Sequence, residues 1–128
     1  MTSISSIALS GLRAATARVG VSADNVVNVR TGRPVEVEGE TPEGVYEPKK
    51  VEQIPLEHGG VRVAINSVTP STLLLADLDS PTGVAEYPNV DLTQEVVNQR
   101  LAVRDFKAAL AVIEAEDEMF QAVLDIKT

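Results

Sequence analysis

The feature that most constrains this chain is a long, uninterrupted helical pattern that fills its last third. No proline or glycine occurs between Val90 and Thr128. Apolar residues recur there at alternating steps of four and three, which makes a heptad seam, a narrow stripe suited to packing against another helix. A helix of about 35 residues is roughly 50 Å long at 1.5 Å per residue. We therefore predict a helix that needs a partner, within the chain or in another copy.

The start of this helix carries a strong capping signal. Asp91 follows the turn residues Tyr87-Pro88-Asn89 and is a favourable N-cap, and Gln94 three residues later completes a capping-box pattern. Near the other end, the acidic cluster Glu114, Glu116, Asp117 and Glu118 lies toward the negative pole of the helix dipole. This placement predicts a basic partner surface that would relieve the cluster.

A second, shorter helix is predicted over residues 3–29, with Thr2, Ser3 or Ser6 as its N-cap. The stripe along one of its faces is made of small residues such as Ala8, Gly11 and Ala15. Small side chains let another helix come close but bury little apolar area. We therefore expect this helix to be held in place by its partners.

Between the helices the pattern changes. Thr31-Gly32-Arg33-Pro34 ends the first helix, with Gly32 near its C-cap, and the glutamate-rich stretch 35–47 is predicted to be a loop. Alternating apolar residues from Lys49 to Val68 predict a β-hairpin that turns at His58-Gly59-Gly60, with Pro55 placing its first strand at an edge. A short apolar run at Leu73-Leu74-Leu75 precedes another short strand, predicted from Val84 to Tyr87.

The predicted fold class is mainly α with a small β part. Its long N- and C-terminal helices pair as a coiled-coil-like hairpin, and a small β-hairpin domain is inserted between them. The predicted divisions are residues 1–32 for the N-terminal helix, 33–87 for the β-rich middle segment and 88–128 for the C-terminal helix.

Composition excludes several classes of function. The net charge of −8 without a basic run disfavours binding to nucleic acid or to an anionic membrane. No apolar stretch reaches 18 residues, so no membrane span is predicted, and the first residues lack the basic and apolar regions of a Sec signal peptide. The absence of cysteine excludes disulfides and thiolate metal sites.

No arrangement of residues points to catalysis. The single histidine, His58, is interpreted as a surface residue of the hairpin turn rather than a metal ligand. Glu114 and Glu118 are one helical turn apart, which indicates a solvated face rather than a cation site. Phosphate-binding loops, nucleophile elbows and HExxH motifs are absent. We expect no enzyme activity, no cofactor, no metal site and no catalytic residue.

Two stretches resemble the axial proteins of the bacterial flagellum, specifically the basal-body rod proteins. Residues 8–15 and 21–29 are similar to the family's N-terminal signature, and residues 87–91, 95–98 and 104–108 are similar to the C-terminal pattern of its proximal-rod, C-type branch. The family-motif residues in these stretches are Asn25, Asn28, Pro88, Asn89, Val90 and Asp91.

The chain also departs from the family pattern. Val29-Arg30-Thr31-Gly32 stands where an aromatic residue is usual after Asn28, Phe106 replaces a usual Tyr, and Ala109 occupies a position where Asn is expected. These departures leave room for a divergent paralogue, but they leave the predicted architecture unchanged.

The resemblance implies a structural subunit whose terminal helices stack with neighbouring copies and with other rod and basal-body proteins into a tube that transmits torque for motility, with the middle segment as an outer knob. It also implies export from the cytoplasm through the flagellar type III apparatus, without a Sec signal, to a periplasmic rod. The residues expected at the helix-packing interface are Ile4, Ala8, Leu12, Ala15, Val26, Leu92, Val96, Val103, Phe106, Leu110, Ile113, Phe120 and Leu124.

Two alternatives remain open from the sequence. The seam residues could form an intramolecular core instead of an interface. In either case the polar seam positions Gln99 and Asp117 could set helix register or oligomer geometry. The protein could also be a soluble helical adaptor or export chaperone that binds an amphipathic helix of another flagellar or type III protein.

Overall fold

A computed structural model describes residues 3–126 and contains two long helices that pack against each other in opposite directions. Helix α1 spans Ile4–Asn28 and helix α2 spans Leu92–Ile126, so both predicted helices are confirmed. Ser3 is the N-cap of α1, and its Oγ accepts a hydrogen bond from the Ser6 backbone N–H at 3.1 Å. Thr2, another candidate cap, lies outside the described residues.

Helix α2 begins directly after Asp91, as the capping signal predicts. Asp91 Oδ1 accepts hydrogen bonds from the backbone N–H groups of Thr93 at 2.9 Å and Gln94 at 3.1 Å. The Gln94 side chain points forward along the helix and donates from Nε2 to Asn98 Oδ1 at 3.3 Å. Only the Asp91 half of the predicted capping box therefore forms.

Five strands lie between the helices in sequence: β1 Arg33–Pro34, β2 Lys49–Pro55, β3 Val61–Ser67, β4 Thr72–Ala76 and β5 Val84–Pro88. Strands β2 and β3 form a two-stranded antiparallel hairpin whose pairing runs from Lys49 with Ser67 to Pro55 with Val61. The predicted hairpin and its turn are confirmed, and His58 is exposed in that turn.

The hairpin lies along α1 and its turn approaches the helix closely. The Val61 backbone N–H donates to Ser10 Oγ at 3.0 Å. Gly60 has a positive φ of 86°, and a Cβ added to it would lie 2.7 Å from Ser10 Oγ. Glycine is required at this point both by the left-handed backbone and by the close approach of α1.

The other three strands form a second antiparallel sheet in the order β1-β5-β4. Strand β5 agrees with the predicted strand from Val84 to Tyr87, whereas the apolar run Leu73-Leu74-Leu75, for which no strand is predicted, lies in β4. A continuous apolar run has no period of two and is ambiguous on its own. The β part is therefore larger than the single predicted hairpin, although the fold class is confirmed.

Gly32 has a different role from the one predicted. The C-cap of α1 is Val29, which has an ordinary right-handed conformation. Gly32 instead lies against the Tyr87 ring, and a Cβ added to it would stand 2.5 Å from Tyr87 Cε1. The glycine leaves space for the aromatic ring of β5 and does not end the helix.

Small residues dominate the buried part of the molecule. Ala8, Ala14 and Ala15 of α1 are buried, as is Ala102 of α2, whereas most of the large apolar side chains of α2 are exposed. Neither α1 nor α2, within residues 3–126, is both long and apolar enough to cross a membrane.

Candidate assembly surface

The contact between the two helices is built from small residues at heptad spacing. Ala8 and Ala15 of α1 are buried there, and Ala102 of α2 is fully buried. A Cβ added to Gly11 would lie only 3.6 Å from the Cβ of Ala109. Ala109 thus stands at a point of close helix approach, where the asparagine typical of the resembled family would need more space. The predicted small-residue stripe is confirmed, and its partner is α2.

Polar side chains cross the same contact. Arg18 Nη1 donates to Asp105 Oδ2 at 2.7 Å, and Ser22 Oγ donates to the Glu95 carbonyl oxygen at 3.1 Å. The hydrogen bond from the Arg18 guanidinium lowers the pKa of the Asp105 carboxyl, although partial desolvation of that carboxyl opposes the shift. The ion pair therefore ties the helices together most strongly when Asp105 is ionised.

One member of the acidic cluster is satisfied within the chain. Glu116 is only 7% exposed, and its Oε2 accepts a hydrogen bond from Ser5 Oγ in the first turn of α1. The N-terminal end of a helix carries a partial positive charge that stabilises a nearby carboxylate. For Glu116 the relieving surface is therefore the start of α1, whereas the prediction was a basic partner surface.

Asn25 is the polar centre of the molecule and is almost completely buried. Its Nδ2 donates to the Lys49 carbonyl oxygen at 2.7 Å and to Glu95 Oε1 at 2.8 Å. Its Oδ1 accepts from Tyr46 Oη at 2.9 Å and from the Lys49 backbone N–H at 3.1 Å. Both donors and both acceptor sites of the amide are used, so Asn25 joins α1, the start of β2 and the start of α2.

The surroundings of Asn25 favour the protonated form of the Tyr46 hydroxyl. Burial raises the pKa of the Tyr46 hydroxyl, and the negative charges of Asp24 and Glu95 raise it further. A protonated phenol is the donor that Asn25 Oδ1 requires. Asn28, by contrast, makes only local bonds, since its Nδ2 donates to the Asp24 carbonyl oxygen at 2.9 Å within the last turn of α1.

The Pro88-Asn89-Val90-Asp91 motif is the joint between the sheet and α2. Pro88 ends β5, where it pairs with Thr72 and is buried. Asn89 donates from Nδ2 to the Pro70 carbonyl oxygen at 2.8 Å and from its backbone N–H to the Ser71 carbonyl oxygen at 2.9 Å. With Asp91 as the cap, this motif fixes the position at which α2 begins.

A cleft of about 640 Å³ lies between α1, β2 and the start of α2. Its walls are mixed in charge, with Arg18, Lys49 and Lys50 facing Asp91 and Glu95. Across residues 3–126, no group of three or more His, Asp or Glu side chains is arranged to hold a metal ion. The notable surfaces of the molecule are apolar.

The structure divides the predicted interface residues into three groups by exposure. Ala8 and Ala15 are buried between the helices, while Leu12, Val26 and Ile113 are half-buried. The remaining residues are exposed in the isolated chain, with 39% of Phe106 and 64% of Leu124 accessible: Ile4, Leu92, Val96, Val103, Phe106, Leu110, Phe120 and Leu124. These residues do not form an intramolecular core, and their role in assembly stays a prediction.

The seam is exposed because α1 packs on the neighbouring stripe of α2. The residues that meet α1 include Glu95, Ala102, Asp105, Ala109 and Glu116, each directly before a seam position. One residue corresponds to about 100° of rotation on an α-helix, so the seam points to one side of the helix pair. We call face A the seam residues of α2: Leu92, Val96, Val103, Phe106, Leu110, Ile113, Phe120 and Leu124.

A second apolar face on α2 escaped the sequence analysis. We call face B the residues Val97, Leu101, Ala108, Val112, Ala115 and Met119, all of which are exposed. Leu101, Ala108 and Ala115 each stand directly before a residue that contacts α1, so face B points to the opposite side from face A. Their spacings of four, seven, four, three and four residues are also a heptad pattern, which could have revealed this face.

Comparisons with known proteins agree with the architecture. A sequence model described as "Flagellar basal body rod FlgEFG protein C-terminal" matches residues 82–126, which include β5 and α2. The chain is 32% identical to the flagellar basal-body rod protein FlgC of Borreliella burgdorferi in an alignment 148 positions long, gaps included, which covers 94% of this chain and 93% of that relative. The resemblance noted in the sequence is confirmed, and the chain belongs to the flagellar basal-body rod protein family.

Proposed function

We propose that the protein is a structural subunit of the flagellar basal-body rod and assembles through the exposed faces of its helices. The observation that carries this proposal is face A, a heptad stripe of large apolar side chains left at the surface of a helix that already has an intramolecular partner. Exposed apolar stripes of this kind are typical of protein–protein interfaces. The similarity to a rod protein along nearly the whole chain supports the same role.

In this proposal the two terminal segments, residues 1–32 and 88–128, supply the helical layer of a tube, and residues 33–87 form an outer knob. The hydrogen bonds of Asn25 and of the Pro88–Asp91 joint support this assignment of the segments. They fix the hairpin and the start of α2 relative to α1, so that forces on one helix pass to the other.

We further propose that its partners are its own copies and other rod and basal-body proteins, within the periplasmic rod of the flagellum. The route is export from the cytoplasm through the flagellar type III apparatus. The role is mechanical, with no catalytic step, no cofactor and no contact with nucleic acid. The family of the matched relative supports the location.

The test is a charge placed in the middle of face A. We expect Phe106→Glu to abolish swimming while the protein is still synthesised, folded and exported, because a carboxylate cannot be buried against a neighbouring helix without a partner. Ala111→Glu is the matched control, since it adds the same charge to an exposed site between Lys107 and Glu114. Swimming of the Phe106→Glu strain at the wild-type rate would contradict the proposal.

Ala15 is a less informative site for the same test. It is 1% exposed and lies between the two helices, so a charge there would disrupt the fold of the monomer. Loss of motility in an Ala15 variant would therefore not separate assembly from stability, whereas Phe106 leaves the helix pair intact.

An adaptor or export chaperone is the second candidate, because face A would also fit an amphipathic helix of another protein. Mass spectrometry of purified basal bodies distinguishes the two functions. A rod subunit is a component of these particles, whereas a chaperone is absent from them, and its deletion spares their composition.

A further inference from the structure

Helix α2 has apolar faces on both of its free sides. Face A and face B lie on opposite sides of the stripe that contacts α1, and most of the side chains of both faces are exposed. A two-fold dimer would bury one face against itself and leave the other in water. Two different faces on opposite sides are the arrangement of a heterologous interface, which generates rings or helical filaments.

The two faces differ in the size of their side chains. Face A carries bulky residues, including Phe106, Leu110 and Phe120, whereas face B contains Ala108 and Ala115 between its larger members. Large residues packed against small ones interdigitate, while two bulky faces hold helices apart and two small faces leave gaps. The shapes therefore favour face A against face B over either face against itself.

Each face is interrupted by one charged residue, and the two charges have opposite signs. Asp117 occupies a seam position within face A. Arg104 stands directly before the contact residue Asp105, in the stripe of face B, and its side chain is 74% exposed. Both residues have only weak local contacts, from Gln121 Nε2 to Asp117 at 3.2 Å and from Arg104 to Asp105 at 3.3 Å.

We propose that face A of α2 packs against face B of α2 in a second copy of the chain, with Asp117 of one copy paired with Arg104 of the next. For parallel helices this pairing sets an axial offset of 13 residues, which is about 20 Å at 1.5 Å per residue. The interface rests on the proposed function, since it names the contact between copies through which the subunits would assemble.

Charge exchange tests the pairing. We expect Asp117→Arg and Arg104→Asp each to cause loss of the protein from purified basal bodies, because each places like charges opposite each other. The double variant restores the opposite charges and should restore incorporation. Glu118→Arg and Lys107→Asp are the matched controls, because they make the same charge changes at neighbouring exposed positions outside both faces.

Wild-type incorporation of either single variant, or failure of the double variant to recover, would overturn the Asp117–Arg104 pairing. Circular dichroism of the purified variants checks folding. If Asp117→Arg is misfolded, Asp117→Asn serves in its place with a partial loss expected.

Photocrosslinking tests the faces independently of these charges. With a photoreactive amino acid at position 110, which an offset of 13 residues places opposite Val97 of the next copy, we expect a product of twice the monomer mass in basal bodies, whose crosslinked residue lies in face B. Capture of face A, or of a different protein alone, would overturn the proposed packing. Absence of the wild-type protein from basal bodies would instead refute the proposed function, so the two failures are distinguishable.

Discussion

Two adjacent sides of α2, the stripe that contacts α1 and face A, differ in both exposure and residue type. The stripe against α1 is buried or half-buried but consists of alanines and hydrogen-bonded polar groups, whereas face A is mostly exposed but consists of large apolar residues. In an ordinary globular domain the large apolar side chains would occupy the buried positions. The difference teaches that polar bonds and close packing hold this monomer together, while most of the apolar surface of α2 is left available for association.

The largest expected effect on the stability of the monomer follows from removal of the buried Asn25 side chain. Asn25→Ala should lower the free energy of unfolding by about 3 kcal/mol, because the half-buried partners Tyr46 and Glu95 and the Lys49 backbone lose their hydrogen bonds to a buried amide. Urea denaturation followed by circular dichroism measures the change. Asn28→Ala is the matched control and should cost much less, since Asn28 bonds only within its own helix turn. Equal losses in both variants would contradict the central role of Asn25.

The close approach of the helices gives a second test of intermediate size. Gly11→Val should destabilise the monomer by about 1–3 kcal/mol, because the space beyond its Cβ position is occupied by Ala109 at 3.6 Å. Gly20→Ala is the glycine control. It has no neighbour within 4 Å of an added Cβ and should be stabilising by about 0.5 kcal/mol. Thermal unfolding of both variants checks the two opposite signs.

The smallest expected effect concerns acid stability. The Arg18 guanidinium lowers the pKa of Asp105 below its ordinary value of 3.8, so the ion pair contributes its full stability above that pH. The contribution is lost as the pH falls through the lowered pKa of the folded state. Because both side chains are partly exposed, the pair is worth about 1 kcal/mol or less.

Unfolding curves between pH 2 and pH 7 measure this contribution. Asp105→Asn should flatten the acid limb of the stability curve and leave the shape above pH 5 unchanged. An acid limb identical to that of the wild-type chain would show that Asp105 is not the group responsible.

Much of the architecture could be predicted from the sequence because it is encoded locally. The heptad pattern, the Asp91 cap and the alternation around the 58–60 turn each depend on residues close together in the chain. The strand at Leu73-Leu74-Leu75 was not assigned, because its pairing with β5 is a tertiary contact that an apolar run does not specify. The predicted role of Gly32 near the helix C-cap is wrong for the same reason, since the Tyr87 ring that requires the space comes from a strand distant in sequence.

The candidate surface shows where the pattern was insufficient. The heptad pattern predicts that the large apolar stripe of α2 packs against the small-residue helix, either in the chain or between copies. The structure shows that α1 instead uses the adjacent stripe containing Ala102 and Ala109. Hydrophobic periodicity in a sequence identifies stripes of large apolar residues. It does not reveal a close helix contact made by alanine and glycine, because these small residues contribute little to the hydrophobic pattern. Face B was missed because the stronger pattern of face A lies on the same helix.

The hydrogen bonds of Asn25 also have a kinetic consequence. They join residues that are 24 and 70 positions apart, so they can form only after two long loops have closed. The helices and the hairpin depend mainly on local contacts, and each can begin to form before this closure. The hydrogen bonds that orient β2 and the start of α2 relative to α1 therefore depend on contacts between distant parts of the chain, whereas the helix caps and the hairpin turn depend on residues close together in sequence.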